Sequence, residues 1–181
     1  MSIPHIKELS KTRYRTVAVA GKGISLPTLK HSKAEAVIAC NEAIYYAASL
    51  PQFTSYFFSR CDFGPDIHIC KNLPLLAIPI LPKHAPTHVY TYHFWYTWSD
   101  IGLDDLNCTA ALSICIADYL GAEVIELHGM DLLETGDHRY HEPSENERNK
   151  RFVLQSQEKQ MARIPIEIRA KCVFASGKRL V

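Results

Sequence analysis

A helix followed directly by a buried strand is the feature that most restricts the fold of this chain. Residues 108–122, CTAALSICIADYLGA, carry the apolar spacing of a helix and stop at Gly121, a residue type that commonly ends helices. Residues 124–129, VIELHG, then have the pattern of a buried strand. A helix and a buried strand joined by a tight glycine turn are typical of an α/β protein with a parallel sheet.

The first half of the chain repeats short apolar runs that end at turn-forming residues. TVAVA stops at Gly21 and AVIAC stops at Asn41, as buried strands do, and the segment between them is long enough for a short helix or turn. The elements predicted here are strands at 16–20, 36–40 and 56–62, a helix at 42–50 and a weaker strand at 87–92.

The remaining segments are interpreted from their prolines and polar residues. We expect the prolines of LPLLAIPILPKHAP, residues 73–86, to break any regular strand. Residues 134–150 are polar and predict a surface loop that leads into a polar helix at about 145–162, and IPIEIR, residues 164–169, predicts the last strand. Long polar loops in compact domains are often functional, so we expect a mobile lid at 133–146.

Composition restricts the class of protein. A chain of 181 residues predicts one domain, 1–181. Lys and Arg number 20 against 19 Asp and Glu, so charge implies neither a nucleic-acid partner nor an anionic membrane. No apolar run is long enough for a membrane span, and we expect a soluble, cytoplasmic protein. The six cysteines lack C-x-x-C spacing and mostly lie in apolar runs, which favours buried reduced thiols over disulfides or zinc.

Candidate binding residues are those that directly follow the predicted strands, because ligands of open α/β sheets lie beyond the carboxyl ends of the strands. Small or polar residues recur at these positions. They are Gly21, Lys22, Gly23 and Ser25 after the first strand, Asn41 and Glu42 after the second, Asp62 after the third, and Gly129, Met130 and Asp131 after the strand at 124–129.

Several of these residues also suit a purely structural role. Gly21 and Gly23 allow backbone amides to approach a phosphate or carboxylate, with Ser25 adding a hydroxyl, but they also suit a plain strand-to-helix turn. Asn41 can bond a base or ribose, or cap the helix after it.

The start of the long helix raises the same choice. Asn107 and Thr109 lie where free N–H groups and the helix dipole favour an anion, although capping also explains them. Asp131 can bind a ribose hydroxyl or a metal, or bond its own backbone in a loop.

Two clusters further along the chain carry chemically versatile side chains. His138 and His141 share a polar loop with Asp137 and Tyr140, and a histidine there can accept a proton from an acceptor hydroxyl. The H-x-x-H pair can also supply two metal ligands, but no third ligand is identifiable, and solvated loop histidines are the alternative. The aromatic run HVYTYHFWYTW, residues 88–98, favours a core or subunit contact over base stacking, which makes a homo-oligomer an expectation.

Four blocks of sequence resemble one superfamily. In order, they are AGKGISL at 20–26, ACNEA at 39–43, NCTAALSICIADYLGA at 107–122 and IELHGMDL at 125–132. The chain thereby resembles the Rossmann-like superfamily that holds the archaeal 6-hydroxymethylpterin diphosphokinases, the flagellin-modifying motility accessory factors and the bacterial lipo-oligosaccharide sialyltransferases. The resemblance implies a Rossmann-like three-layer sandwich with a mostly parallel central sheet.

The resemblance also implies roles for individual residues. Those that match nucleotide-binding positions of the sialyltransferases are Gly21, Lys22, Gly23, Ser25 and Asn41, with Asn107, Cys108 and Thr109 matching the helix start near the phosphate. The catalytic histidine of those enzymes lies in a loop comparable to that of His138 and His141. Lys22 stands where an asparagine or proline is usual in the family, and Ile24 replaces the proline of its A-G-x-G-P-S-L, which indicates a different arrangement of phosphate contacts.

Three functions follow as hypotheses. The leading one is a nucleotide-dependent transferase, most like a sialyltransferase-type glycosyltransferase, which uses a nucleotide-sugar donor and requires no cofactor. The second is a diphosphokinase, which requires Mg²⁺ and has Asp62 and Asp131 as candidate ligands. The third is a non-catalytic module that binds a nucleotide or a nucleotide-derived signal.

Overall fold

The computed structural model describes residues 4–11, 13–60, 73–83, 94–101, 108–135 and 158–180. Its strands are β1 (Thr16–Ala20), β2 (Ala36–Cys40), β3 (Ser55–Ser59), β4 (Ala77–Pro82), β5 (Phe94–Tyr96), β6 (Val124–His128) and β7 (Cys172–Phe174). Its α-helices include α1 (Ala43–Ala48), α2 (Thr109–Tyr119), α3 (Asp131–Thr135) and α4 (Ile166–Arg169), and 3-10 helices cover Ile6–Lys11, Leu26–His31 and Trp98–Ile101.

The seven strands form one sheet in the order β5-β4-β3-β2-β1-β6-β7, and every neighbouring pair is parallel. The prediction of an α/β sandwich with a mostly parallel central sheet is therefore confirmed. Because all strands run the same way, their carboxyl ends share one edge. The chain reverses its direction of travel across the sheet at β1, which has β2 on one side and β6 on the other.

The reversal at β1 explains why helices cover both faces. Right-handed crossovers that step in opposite directions along a parallel sheet place their helices on opposite faces. Thus α1 and the 3-10 helix Leu26–His31 share a core with Ala18 and Ala20 of β1, whereas α2 and α4 share the other core with Val17 and Val19.

Two segments differ from the sequence-based predictions. The proline-rich stretch contains β4, which lies inside the sheet between β3 and β5. Pairing with β5 begins only at Ile80, so Pro79 precedes that ladder and Pro82 ends the strand, positions at which a missing N–H costs little.

The predicted strand at 164–169 is instead helical. Ile166–Arg169 is α4, and Pro165 directly precedes it. Ile164 and Ile168, four residues apart, are buried, while Ile166 is 69% exposed. In a strand these three isoleucines would lie on one face and share the same burial, which they do not. The final strand is β7, which pairs with β6.

Other predictions hold in part. The aromatic run contributes buried Phe94 and Tyr96 to β5, whereas the predicted strand at 87–92 lies outside the described residues. Of the predicted polar helix, residues 158–162 are helical and the part before 158 lies outside the described ranges.

The four described cysteines, Cys40, Cys108, Cys115 and Cys172, are buried free thiols. Among the described segments, no helix has the length and apolarity needed to cross a membrane.

Candidate functional site

The glycine turn after β1, residues 21–25, packs directly against the turn after β6. The Gly21 amide donates to the His128 carbonyl and the Gly23 amide to the Gly129 carbonyl, each at 2.8 Å. A Cβ atom at Gly21 would lie 2.5 Å from the Gly129 oxygen, and one at Gly23 would collide with the Asp131 carboxylate. The two glycines are therefore needed for contact between the turns, and their amides are already engaged within the protein.

Ser25 and Asp131 fasten the two turns together. The Ser25 backbone N–H and hydroxyl both donate to Asp131 Oδ2, at 3.0 and 2.9 Å, and the Ser25 hydroxyl oxygen accepts the Gly129 N–H at 3.0 Å. Asp131, expected to bind a ribose, a metal or its own loop backbone, thus binds the glycine turn, and its carboxylate is largely buried. The turn can offer a ligand the Lys22 side chain more readily than the amides of Gly21, Gly23 or Ser25.

Lys22 reaches across to the residue at the start of α1. Its Nζ lies 2.8 Å from Glu42 Oε2 in an ion pair that is partly exposed. Burial raises the pKa of Glu42, but the hydrogen bond and charge of Lys22 and the charge of Arg60 outweigh it, so the net pKa is lowered. Arg60 follows β3 and is only 5% exposed. Two cations and one carboxylate therefore meet at the carboxyl ends of β1, β2 and β3.

Asn41 and Ser59 lie side by side at the ends of β2 and β3. The Asn41 N–H donates to the Ser59 carbonyl at 3.3 Å, and Asn41 has φ of 52°, a left-handed conformation that asparagine tolerates better than most residues. Asn41 Oδ1 and Ser59 Oγ are buried and have no hydrogen-bond partner among the described residues. Asn41 therefore does not cap α1 through its side-chain oxygen.

The start of α2 lies over the end of β2. Cys40 Sγ contacts the Thr109 carbonyl oxygen at 3.8 Å and Ser113 Oγ at 3.2 Å. Cys108 precedes the helix with extended backbone and makes no side-chain capping bond. Burial raises the pKa of the Cys108 thiol, partly offset by the backbone N–H groups of residues 110 and 111. The structure thus brings Cys108 and Thr109 to the strand end that precedes Asn41.

Several predicted site residues lie outside the described ranges. They are Asp62, Asn107, Asp137, His138, Tyr140 and His141, together with residues 136–146 of the predicted lid. Within the described ranges, no group of three or more His, Cys, Asp or Glu side chains is arranged to hold a metal ion.

Sequence reasoning missed Ser59 and Arg60. The predicted third strand ran to residue 62 and so hid the strand end, which the structure places at Ser59. The change from the aromatic pair Phe57 and Phe58 to SRCD is the signal that could have located the strand end.

Comparison of the chain with protein-family models, with curated proteins and with solved structures found no match.

Proposed function

We propose that the chain is a nucleotide-dependent transferase that holds a nucleotide-sugar donor at the carboxyl edge of the sheet, as a sialyltransferase-like glycosyltransferase would. The observation that carries the proposal is the convergence of Lys22, Asn41, Ser59, Arg60 and the start of α2 at this edge. Ligands of open α/β sheets bind beyond the carboxyl ends of the strands.

The charges at this edge favour an anionic ligand. Lys22 and Arg60 place two positive charges beside the Glu42 carboxylate, while the Asp131 carboxylate in the turn after β6 is engaged by Ser25. The amino end of α2, an eleven-residue helix, adds the positive end of a helix dipole close to β2. A phosphate supplies the negative charge that this arrangement favours.

The buried polar atoms favour a ligand that also forms hydrogen bonds. A buried polar atom without a partner costs about 1–3 kcal/mol, and Asn41 Oδ1 and Ser59 Oγ are two such atoms on adjacent strands. A ribose hydroxyl or a base amino group can donate to Asn41 Oδ1, and a serine hydroxyl can either donate or accept. A nucleoside next to its phosphate meets both requirements.

The assignment to transferases rests on the sequence resemblance described above. In this proposal Lys22 and the α2 start hold the phosphate of the leaving nucleotide, where positive groups stabilise developing charge. Asn41 binds the nucleoside, and His138 or His141 accepts the proton of the acceptor hydroxyl. The diphosphokinase alternative is less favoured because Asp131, one of its two candidate Mg²⁺ ligands, already accepts two hydrogen bonds from Ser25.

Nucleotide binding is tested by the melting temperature of the chain in the presence of CMP, CMP-sialic acid, UDP-sugars and ATP with Mg²⁺. A ligand that binds only the folded state raises that temperature. We expect a rise with a nucleotide, and a smaller rise for Lys22→Met. Lys33→Met, on the loop after the 3-10 helix Leu26–His31, serves as the charge-matched control. No rise with any nucleotide would contradict the proposal.

Catalysis is tested separately from binding. We expect His138→Ala or His141→Ala to abolish sugar transfer or donor hydrolysis while nucleotide binding is retained. Binding without turnover in the unmodified chain would instead identify a non-catalytic nucleotide-binding module. Turnover that requires Mg²⁺ and consumes ATP would identify the diphosphokinase.

A further inference from the structure

The sheet face opposite α2 carries two titratable side chains of β6, Glu126 and His128. Ile125 and Leu127 of the same strand belong to the core beneath α2, so the alternation of a strand places Glu126 and His128 on the other face. The 3-10 helix Leu26–His31 covers this face, and His128 is 5% exposed. Neither side chain belongs to the nucleotide site described above.

A chain of hydrogen bonds runs from these two residues to the glycine turn. His128 Nε2 lies 3.4 Å from Glu126 Oε2, and His128 Nδ1 lies 2.8 Å from Thr28 Oγ1. Thr28 Oγ1 in turn lies 2.7 Å from the carbonyl oxygen of Ser25. The Ser32 hydroxyl donates to Glu126 at 2.5 Å. We refer to Ser25, Thr28, His128 and Glu126 as the Thr28–His128 network.

Counting hydrogens shows that the network has two states. Burial raises the pKa of Glu126, but the hydrogen bonds from His128 and Ser32 outweigh burial, so the net pKa is lowered. Glu126 is therefore a carboxylate, which can only accept hydrogen bonds. His128 Nε2 must then carry a hydrogen to bond Glu126. The Thr28 hydroxyl has one hydrogen and faces two acceptor positions, the Ser25 carbonyl oxygen and His128 Nδ1.

The charge of the imidazole decides which acceptor receives that hydrogen. In the imidazolium both ring nitrogens donate, so Thr28 Oγ1 accepts from Nδ1 and remains able to donate to Ser25. In the neutral ring with hydrogen on Nε2, Nδ1 becomes an acceptor, and the Thr28 hydroxyl donates its hydrogen bond to Nδ1 instead of to Ser25. The Ser25 carbonyl then keeps only its bond from the Thr28 backbone N–H at 2.9 Å.

We propose that His128 is a positioning residue whose protonation tightens the glycine turn through Thr28 and whose deprotonation releases one of the turn's hydrogen bonds. The consequence for ligands rests on the proposed function: Ser25 belongs to the turn that carries Lys22, so nucleotide affinity is higher when His128 is charged.

Within the described residues, few other charged groups act on His128. Glu126 faces it from β6, and Thr28 and Ser32 face it from the covering segment, where the Lys33 backbone also bonds Glu126. On the neighbouring strand β1, Ala18 and Ala20 lie on this face and carry no charge. Asp131 acts at the far end of the network, where its carboxylate accepts from Ser25.

Nuclear magnetic resonance of the ligand-free chain tests the network directly. Nitrogen-15 shifts of His128, followed from acid to alkaline pH, should show an imidazolium that gives way to a neutral ring with hydrogen on Nε2. The carbonyl carbon-13 shift of Ser25 should follow the same titration. Thr28→Val should remove this response of Ser25, and His31→Gln, on the same 3-10 helix, should retain it. A neutral ring with hydrogen on Nδ1, or a Ser25 shift independent of pH, would overturn the proposal.

The effect on the site is measured with CMP as the probe. From acid to alkaline pH, as His128 loses its charge, the affinity of CMP for the unmodified chain should fall about three- to tenfold more than its affinity for Thr28→Val, the equivalent of one hydrogen bond. Titration of the CMP phosphate is common to both proteins and cancels in this comparison. CMP binding with the same pH dependence in both proteins would overturn the control of affinity. If the shifts behave as expected but no nucleotide binds, the proposed function fails and the network stands.

Discussion

Two buried serines on the α2 side of the sheet differ in whether their hydroxyls have partners. Ser59 and Ser113 are both fully buried. Ser113 donates to the Thr109 carbonyl at 2.8 Å and contacts Cys40 Sγ, whereas Ser59 Oγ has no partner in the described part of the chain. The contrast separates a hydroxyl that is bonded within the fold from one that is buried without a partner.

Alanine substitutions of these serines are expected to have opposite effects. Ser113→Ala should lower the free energy of unfolding by about 1 kcal/mol because it removes a buried hydrogen bond. Ser59→Ala should leave it unchanged or raise it, because it removes a buried polar atom that lacks a partner. Urea unfolding of the ligand-free proteins measures both. A loss for Ser59→Ala equal to that for Ser113→Ala would show that Ser59 is bonded in the folded chain.

At the scale of single residues, the sequence predicted positions better than partners. Gly21, Gly23, Asn41 and Asp131 do lie at strand ends, because a buried apolar run that stops at a small or polar residue marks such an end. Their contacts depend on which turns become neighbours across the sheet. The bond between Ser25 and Asp131 joins residues 106 positions apart, and no local pattern contains that information.

At the scale of elements, the sequence identified most strands and failed where local and tertiary preferences disagree. The prolines of 73–86 argued against a strand, yet β4 forms because its prolines fall where ladder bonds are dispensable. The alternating isoleucines of 164–169 suggested a strand, but residues 166–169 form a helix that buries Ile168 and exposes Ile166. Tertiary packing decided both outcomes.

Substitutions in α4 distinguish the helix from the predicted strand. Ile168, 8% exposed, packs in the core beneath α2, and Ile166 is on the surface. We expect Ile168→Ala to lower the free energy of unfolding by about 2–5 kcal/mol and Ile166→Ala to change it by less than about 0.5 kcal/mol. Denaturant unfolding of the two variants provides the measurement. Equal losses for both would instead indicate the single buried face of a strand.

At the scale of the whole molecule, the free energy of unfolding should fall at acidic pH. Folding lowers the pKa values of Glu42, Asp100 and Glu126 below their ordinary values of 4.5 for Glu and 3.8 for Asp, because hydrogen bonds and cations at each carboxylate outweigh the effect of burial. A carboxyl whose pKa is lower in the folded state stabilises that state above its unfolded pKa, and the contribution is lost as pH falls through the folded value.

We therefore expect the free energy of unfolding to change little from neutral pH down to about pH 5 and to fall steadily below it. Glu126→Gln should be less stable than the unmodified chain at neutral pH and should approach it in acid. Glu123→Gln, whose carboxylate is well exposed in an ion pair with Arg15, should follow the unmodified curve closely. Urea unfolding across this pH range gives the curves, and a Glu126→Gln deficit that persists undiminished in acid would exclude this role for the carboxylate.

The whole molecule also shows how far a sequence can locate a site. The parallel sheet was predictable from a few apolar runs and their stops, and it implied that the site lies at the carboxyl edge of the strands. The cluster of Lys22, Glu42 and Arg60 required knowledge that β1, β2 and β3 are neighbours in this order, and so did the unpartnered atoms of Asn41 and Ser59.

Nucleotide binding at this edge can be measured by amide chemical shifts during titration with CMP, UDP and ADP. We predict that at least one of them shifts the amides of Lys22, Asn41, Arg60 and Thr109 most, with much weaker changes for Lys22→Met. Amides at the opposite edge, at Thr16, Ala36 and Ser55, should stay unchanged. Shifts concentrated at that opposite edge, or no shifts with any of the three nucleotides, would contradict it.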